Sequence, residues 1–156
     1  MDIQSIGYSL FQAVQNRNKL NTMKLNIRKW ELIRNYNMPD MVTLTISIDE
    51  SAVGYTLKFE NDNVIVTSFG LNSDTKTFDN LYKLIEYILD NTEQEYLEST
   101  LKTEEKIIKD FEKLIDIKES ELSTETSNIL KDKLSEVYKN INNRKEKIQK
   151  RFKNLK

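Results

Sequence analysis

GYTLKFENDNVIVTSF, residues 54–69, is the stretch on which the fold turns. Asn61 and Asp62 separate two alternating runs, and both residue types tolerate the positive φ that a two-residue hairpin loop requires. A loop of that length sets Phe59 opposite Val64 and Leu57 opposite Val66. Tyr55, Leu57, Phe59, Val64 and Val66 then share one face, so turn and apolar pattern demand the same register. Upstream, MVTLTISI at 41–48 alternates strictly: Val42, Leu44, Ile46 and Ile48 on one face, Thr43, Thr45 and Ser47 on the other. These strands predict a three-stranded antiparallel meander, which at that size needs helices on its apolar side.

Helical spacing supplies them. Ile3, Ile6, Leu10, Phe11 and Val14 recur at three and four residues behind Asp2, a good N-cap, and the polar NRN at 16–18 is expected to end this helix. Leu20, Met23, Ile27, Trp30 and Ile33 continue at helical spacing, predicting a second helix closed by Pro39. After Gly70 a polar loop is expected. Phe78, Leu81, Leu84, Ile85, Ile88 and Leu89 then form the stripe predicted to cover the sheet. TEQE at 92–95 fits a capping box, so a new helix is expected from Thr92 through Leu97, Leu101, Ile108, Phe111 and Ile115. SELSTETS at 120–127 breaks the pattern. A last helix carries Leu130, Leu134, Val137, Ile141, Ile148 and Leu155 at heptad spacing. The two long helices predict an antiparallel hairpin about 40–48 Å long at 1.5 Å per residue. The expected class is therefore α+β: N-terminal helices, a meander with a packed helix, then a helical hairpin. The expected domains are a core at 1–91 and a hairpin extension at 92–156.

Composition narrows the chemistry. The chain has no cysteine and no histidine, which excludes disulfides, thiol nucleophiles, thiolate metal sites and imidazole proton transfer. Three glycines, Gly7, Gly54 and Gly70, lie too far apart to build a phosphate-cradling loop. Asp40 followed by Thr56-Leu57-Lys58 resembles the metal site of restriction-type nucleases with Thr56 in place of the second carboxylate, which removes the metal's ligand. ENDNVI at 60–65 and NSDTKT at 72–77 begin like calcium loops but place Val64 and Lys76 at the fifth ligand. No catalytic, metal or cofactor site is expected, and the protein is read as a non-enzyme. No apolar run is long enough for a membrane span, and the N-terminus lacks a signal-peptide pattern, so a soluble, unprocessed, cytoplasmic chain is expected. The 19 Lys and 16 Asn point to an AT-rich genome, such as a low-GC bacterium or its phage.

Charge is distributed unevenly. Residues 1–36 carry six positive and two negative side chains, residues 37–130 eight and twenty, and residues 131–156 ten and three. Folding the last helix back would bring residues 144–156 beside Asp90, Glu93, Glu95, Glu98, Glu104 and Glu105. Glu104 and Arg144 interrupt the apolar seam and are expected to pair and fix its register. Ile148, Phe152 and Leu155 continue the seam through KNINNRKEKIQKRFKNLK at 139–156, so that run reads as structural helix rather than a free basic arm. Contact with a partner is expected at Asp90, Glu93, Glu95, Glu98 and Glu105 and at Lys145, Lys147, Lys150 and Lys153.

The order MVTLTISI, GYTLKFENDNVIVTSF, FDNLYKLIEYIL resembles that of some small phage-encoded inhibitors of bacterial defence nucleases, the anti-CRISPR proteins. Some of these combine a three-stranded meander with helices and use acidic surfaces to occupy nucleic-acid sites. The resemblance covers residues 41–91, has no diagnostic motif and transfers no residue role. It implies a protein-binding inhibitor of a host nucleic-acid-processing enzyme. Two other readings remain: a nucleic-acid-binding protein using its basic termini, and a homo-oligomer whose hairpins pair as a four-helix bundle.

Overall fold

The computed structural model describes residues 1–34, 36–71 and 73–153. Leu155, expected on the last seam, lies outside the described residues, as does Asn72, the first residue of NSDTKT. The protein is α+β, and the chain divides into two compact units, Met1–Tyr96 and a second beginning at Leu97.

The first unit opens with α1 (Ile3–Leu20), capped as its sequence demands: the Ser5 N–H donates to Asp2 Oδ1 at 2.7 Å. That bond holds the Asp2 carboxyl below its usual pKa. Five antiparallel strands follow in sequential order, β1 (Leu25–Ile33), β2 (Met41–Ile48), β3 (Ser51–Glu60), β4 (Asn63–Phe69) and β5 (Asp74–Phe78). The β3–β4 turn has φ 48° at Asn61 and 65° at Asp62, and its register pairs Phe59 with Val64 and Leu57 with Val66.

Two strands correct the three-stranded expectation. Residues 25–33, read as a second helix, are β1. Leu25 and Ile27 pair with Ile48 and Ile46; the register then slips at Arg28, and Trp30 and Leu32 pair with Leu44 and Val42. The extra residue turns an apolar spacing of two into one of three, from Ile27 to Trp30, which imitates a helical period. Arg28 Nε donates to Ser47 Oγ at 2.8 Å from the slip. Asn18 fixes the entry to this strand: its amide donates to the Leu25 carbonyl and its oxygen accepts the Leu25 N–H, each at 2.8 Å. Helix α1 accordingly runs past NRN to Leu20. The second correction is β5, inside the expected polar loop. DTKTF has almost no apolar signal because it is an edge strand. Lys76 and Phe78 nonetheless turn toward α2 (Leu81–Lys118), with the Lys76 ammonium 5.1 Å from the Tyr87 ring centre and the Phe78 ring 5.2 Å from it. Phe78 thus ends a strand rather than starting the helix, which Asn80 caps through the N–H groups of Tyr82 and Lys83.

Ile6, Leu10 and Val14 of α1 and Leu84, Ile85, Ile88 and Leu89 of α2 form one core with the inner sheet face. Tyr55 stands fully buried at its centre. Helix α2 does not restart at Thr92. The Thr92 hydroxyl donates to the Ile88 carbonyl one turn back, at 2.7 Å, and lies 2.7 Å from the Tyr55 hydroxyl, so it serves a buried network instead of a cap. Asn91 Nδ2 donates to that Tyr55 hydroxyl at 3.0 Å.

The second unit is the far part of α2, a 3₁₀ turn at Glu119–Glu121 and α3 (Thr124–Arg151), whose N-cap Ser123 accepts from the Thr126 N–H. Leu101 and Ile115 are buried on α2, with Ile108 half-buried between them. Ser127, Leu134, Ile141 and Ile148 are buried on α3. Both series step by seven, the spacing that keeps one stripe of each helix against the other. Among the described residues no helix is long and apolar enough to cross a membrane.

Candidate interaction surfaces

The acidic residues around 90–95 belong to the first unit, Glu93 and Glu95 to its interior. Glu86, Asp90 and Glu93 step by four and three along one face of α2, the spacing of side-chain neighbours on a helix. Arg17, in the last turn of α1, reaches all three: Glu86 at 2.9 Å, Asp90 at 2.7 Å and Glu93 at 3.1 Å. Burial disfavours the guanidinium charge, but Asp90 and Glu93 outweigh it and raise the Arg17 pKa. The Glu93 side chain is 1% exposed and Glu86 65%, so the cluster grades from core to solvent. Glu95, also buried, accepts the Leu71 N–H at 2.9 Å. A β-carbon on Gly70 would fall 2.6 Å from a Glu95 oxygen, which explains glycine there. Of the acids expected at a partner surface, Glu93 and Glu95 are therefore buried, Asp90 is half-buried against Arg17, and Glu98 is half-buried and engaged. Arg17 carried no signal in the sequence beyond being one of two cations, with Lys19, in the last turn of a helix.

An aromatic groove of about 510 Å³ lies between α1 and β1, lined by Tyr8, Phe11 and Trp30 among others. Tyr8 and Phe11 are exposed; the indole of Trp30 lies so close to Gly7 that an added β-carbon would meet it at 3.1 Å. The neighbouring cations are engaged elsewhere, Arg28 on Ser47 and Lys29 on Glu31.

The hairpin has two unlike broad faces. Along one, Glu105, Glu112 and Glu119 step by seven on α2, with its 3₁₀ extension, and meet Lys145, Tyr138 and Lys131, which step by seven on α3. Glu112 accepts from the Tyr138 hydroxyl and thereby raises the phenol's pKa; Glu119 does the same for the Lys131 ammonium. These pairs set the register. On the other face Arg144 bridges Glu104 through both guanidinium nitrogens, raising the Arg144 pKa. The positions one and two heptads further along this face are Phe111 and Lys118 on α2 and Val137 and Leu130 on α3, so beyond the bridge it turns mostly apolar. Ile107, Phe111, Leu114 and Ile117 are 59%, 45%, 52% and 73% exposed, and Ile129 on α3 is 51% exposed. Phe111, expected in the seam, stands beside it. The signal was present in the sequence: Ile107 and Leu114, seven apart, form a second apolar column next to Ile108 and Ile115.

Lys147, Lys150 and Lys153 are exposed near the end of α3. Lys147 lines a small depression of about 200 Å³ with Leu97, Leu101, Ile148 and Arg151, and Lys145 lines another of about 260 Å³ with Leu101 and Ile148. Comparison with known proteins finds no family model, no curated protein and no solved structure that matches this chain.

Proposed function

We propose that the protein is a protein-binding module whose contact element is the helical hairpin. The observation that carries this reading is the division of the hairpin into a face closed by Glu–Lys and Glu–Tyr pairs and a face exposing Ile107, Phe111, Leu114 and Ile117. A solvated hairpin needs only its seam, and a second apolar column costs solubility unless something covers it. The finer reading is an inhibitor of a host nucleic-acid-processing enzyme, such as a CRISPR nuclease. It is supported by the acidic balance of residues 37–130 and by the likeness in element order to anti-CRISPR proteins.

The test compares capture of partners from the source cell by the wild type, by an Ile107→Asp/Leu114→Asp variant, and by a Lys147→Glu/Lys150→Glu/Lys153→Glu variant. Each variant is first checked for unchanged helical circular dichroism. One protein retained by the wild type and lost by either variant supports the reading, and identification of that protein as a nuclease supports the finer one. Capture indifferent to both variants overturns it. The exposed Lys147, Lys150 and Lys153 favour a second reading, contact with nucleic acid. Phosphate contacts of that kind produce affinity that falls steeply with added salt in a gel-shift titration.

A further inference from the structure

We infer that the apolar face of the hairpin is the contact for a second copy of this chain, two hairpins pairing antiparallel into a four-helix bundle. This rests on the reading of the hairpin as a docking element and names the occupant of one of its faces. The seam is already filled within the chain by Leu101, Ile115, Leu134, Ile141 and Ile148, so the exposed column is surplus to intramolecular packing. Its side chains and their half-buried α3 neighbours Leu130 and Val137 form a contiguous exposed apolar patch of the kind that marks an interaction surface.

The patch is self-complementary in position and in charge. The column runs from Ile107 to Ile117 and is centred on residue 112. Asp110 and Lys113, both exposed, stand on the outer border of the same column. An antiparallel approach of two α2 helices about a two-fold axis between residues 111 and 112 lays column on column. The same axis sets Asp110 of each copy opposite Lys113 of the other, twice over. A foreign helix would have to bring a matching apolar column and a matching charge pair; a second copy brings both by symmetry. The Glu104–Arg144 bridge bounds the patch on one side, so only the distal part of each hairpin is covered. The ion-paired face and Lys147, Lys150 and Lys153 remain open for another partner.

Sedimentation equilibrium on the purified full chain, from about 1 to about 100 µM, reads the association directly. The expected mass is twice 18.4 kDa at the upper end. Ile107→Asp/Leu114→Asp should return a single 18.4 kDa species with helical circular dichroism unchanged. Asp110→Lys should weaken association about tenfold, and adding Lys113→Asp should restore it, since the swapped pair meets again across the axis. Because the chain has no native cysteine, Phe111→Cys beside the axis should form a disulfide between copies under mild oxidation, whereas Lys139→Cys should not. A mass of 18.4 kDa throughout the range overturns the pairing, as does a dimer indifferent to these substitutions. If the chain stays monomeric while the Ile107→Asp/Leu114→Asp variant still loses a captured protein, self-pairing falls and the docking reading stands. If both mass and capture ignore the hairpin variants, both fall.

Discussion

Arg17 shows how one side chain can hold a core and a surface together. Its guanidinium compensates the buried Glu93 carboxylate while its other contacts grade outward to Glu86. Removing it would take a paired cation away from a buried carboxylate, and breaking a buried pair costs more than the pair contributes. Arg17→Met should destabilise the first unit by about 3 kcal/mol in denaturant unfolding, and Arg17→Lys by less. Tyr55 offers a pH test. Burial raises its pKa above the ordinary 10.0, although the bonds to Thr92 and Asn91 partly favour the phenolate. A group whose folded pKa is raised contributes stability fully below its unfolded pKa and loses it above. Stability should therefore hold between pH 7 and about pH 9 as far as this group is concerned and decline from about pH 10 upward. Tyr55→Phe should lower stability at neutrality by about 1 kcal/mol and flatten that alkaline decline. None of these contacts was legible in the sequence, because Tyr55 and Arg17 meet partners more than thirty positions away and the pattern marks them only as apolar and cationic.

At the scale of elements, period was a good guide where backbone pairing was regular and failed where it was not. MVTLTISI and the Asn61–Asp62 hairpin read correctly because an unbroken alternation and a two-residue turn each imply one register. Residues 25–33 misled because a single slip at Arg28 converts alternation into a spacing of three. β5 was invisible because an edge strand need not be apolar. TEQE imitated a cap because Thr92 and Glu95 are polar for tertiary reasons, one serving Tyr55 and the other the Leu71 amide. The hairpin yields two measurements. The Ser127 hydroxyl is buried in the seam with no hydrogen-bond partner among the described residues, so Ser127→Ala should stabilise the chain by about 1 kcal/mol, read as a higher denaturation midpoint. The Glu104–Arg144 bridge is partly exposed, and a double-mutant cycle with alanine at each position should give a coupling of about 0.5 kcal/mol that shrinks in high salt.

For the whole molecule, stability should be uneven. The first unit buries an extended core from α1, α2 and the central strands, whereas the second has little more than one buried side chain per heptad on each helix. Hydrogen exchange should accordingly find the slowest amides in β2–β4 and markedly faster ones around residues 112–134 in dilute protein. If the hairpins pair as inferred, protection at 107–117 should rise with protein concentration, while that of the sheet stays fixed.

The sequence by itself determined the α+β class, the β2–β3–β4 meander with the register of its β3–β4 hairpin, the covering helices and the hairpin with its seven-residue seam. These are local facts, set by alternation, helical period, caps and turn chemistry along short stretches of chain. Only the tertiary structure decided that Leu25–Ile33 and Asp74–Phe78 complete a five-stranded sheet, and that Asp90 and Glu93 answer to Arg17. It also set Ile107, Phe111, Leu114 and Ile117 outside the seam. Each of those outcomes depends on which distant group compensates a charge or covers an apolar surface, and spacing within one segment carries no information about that.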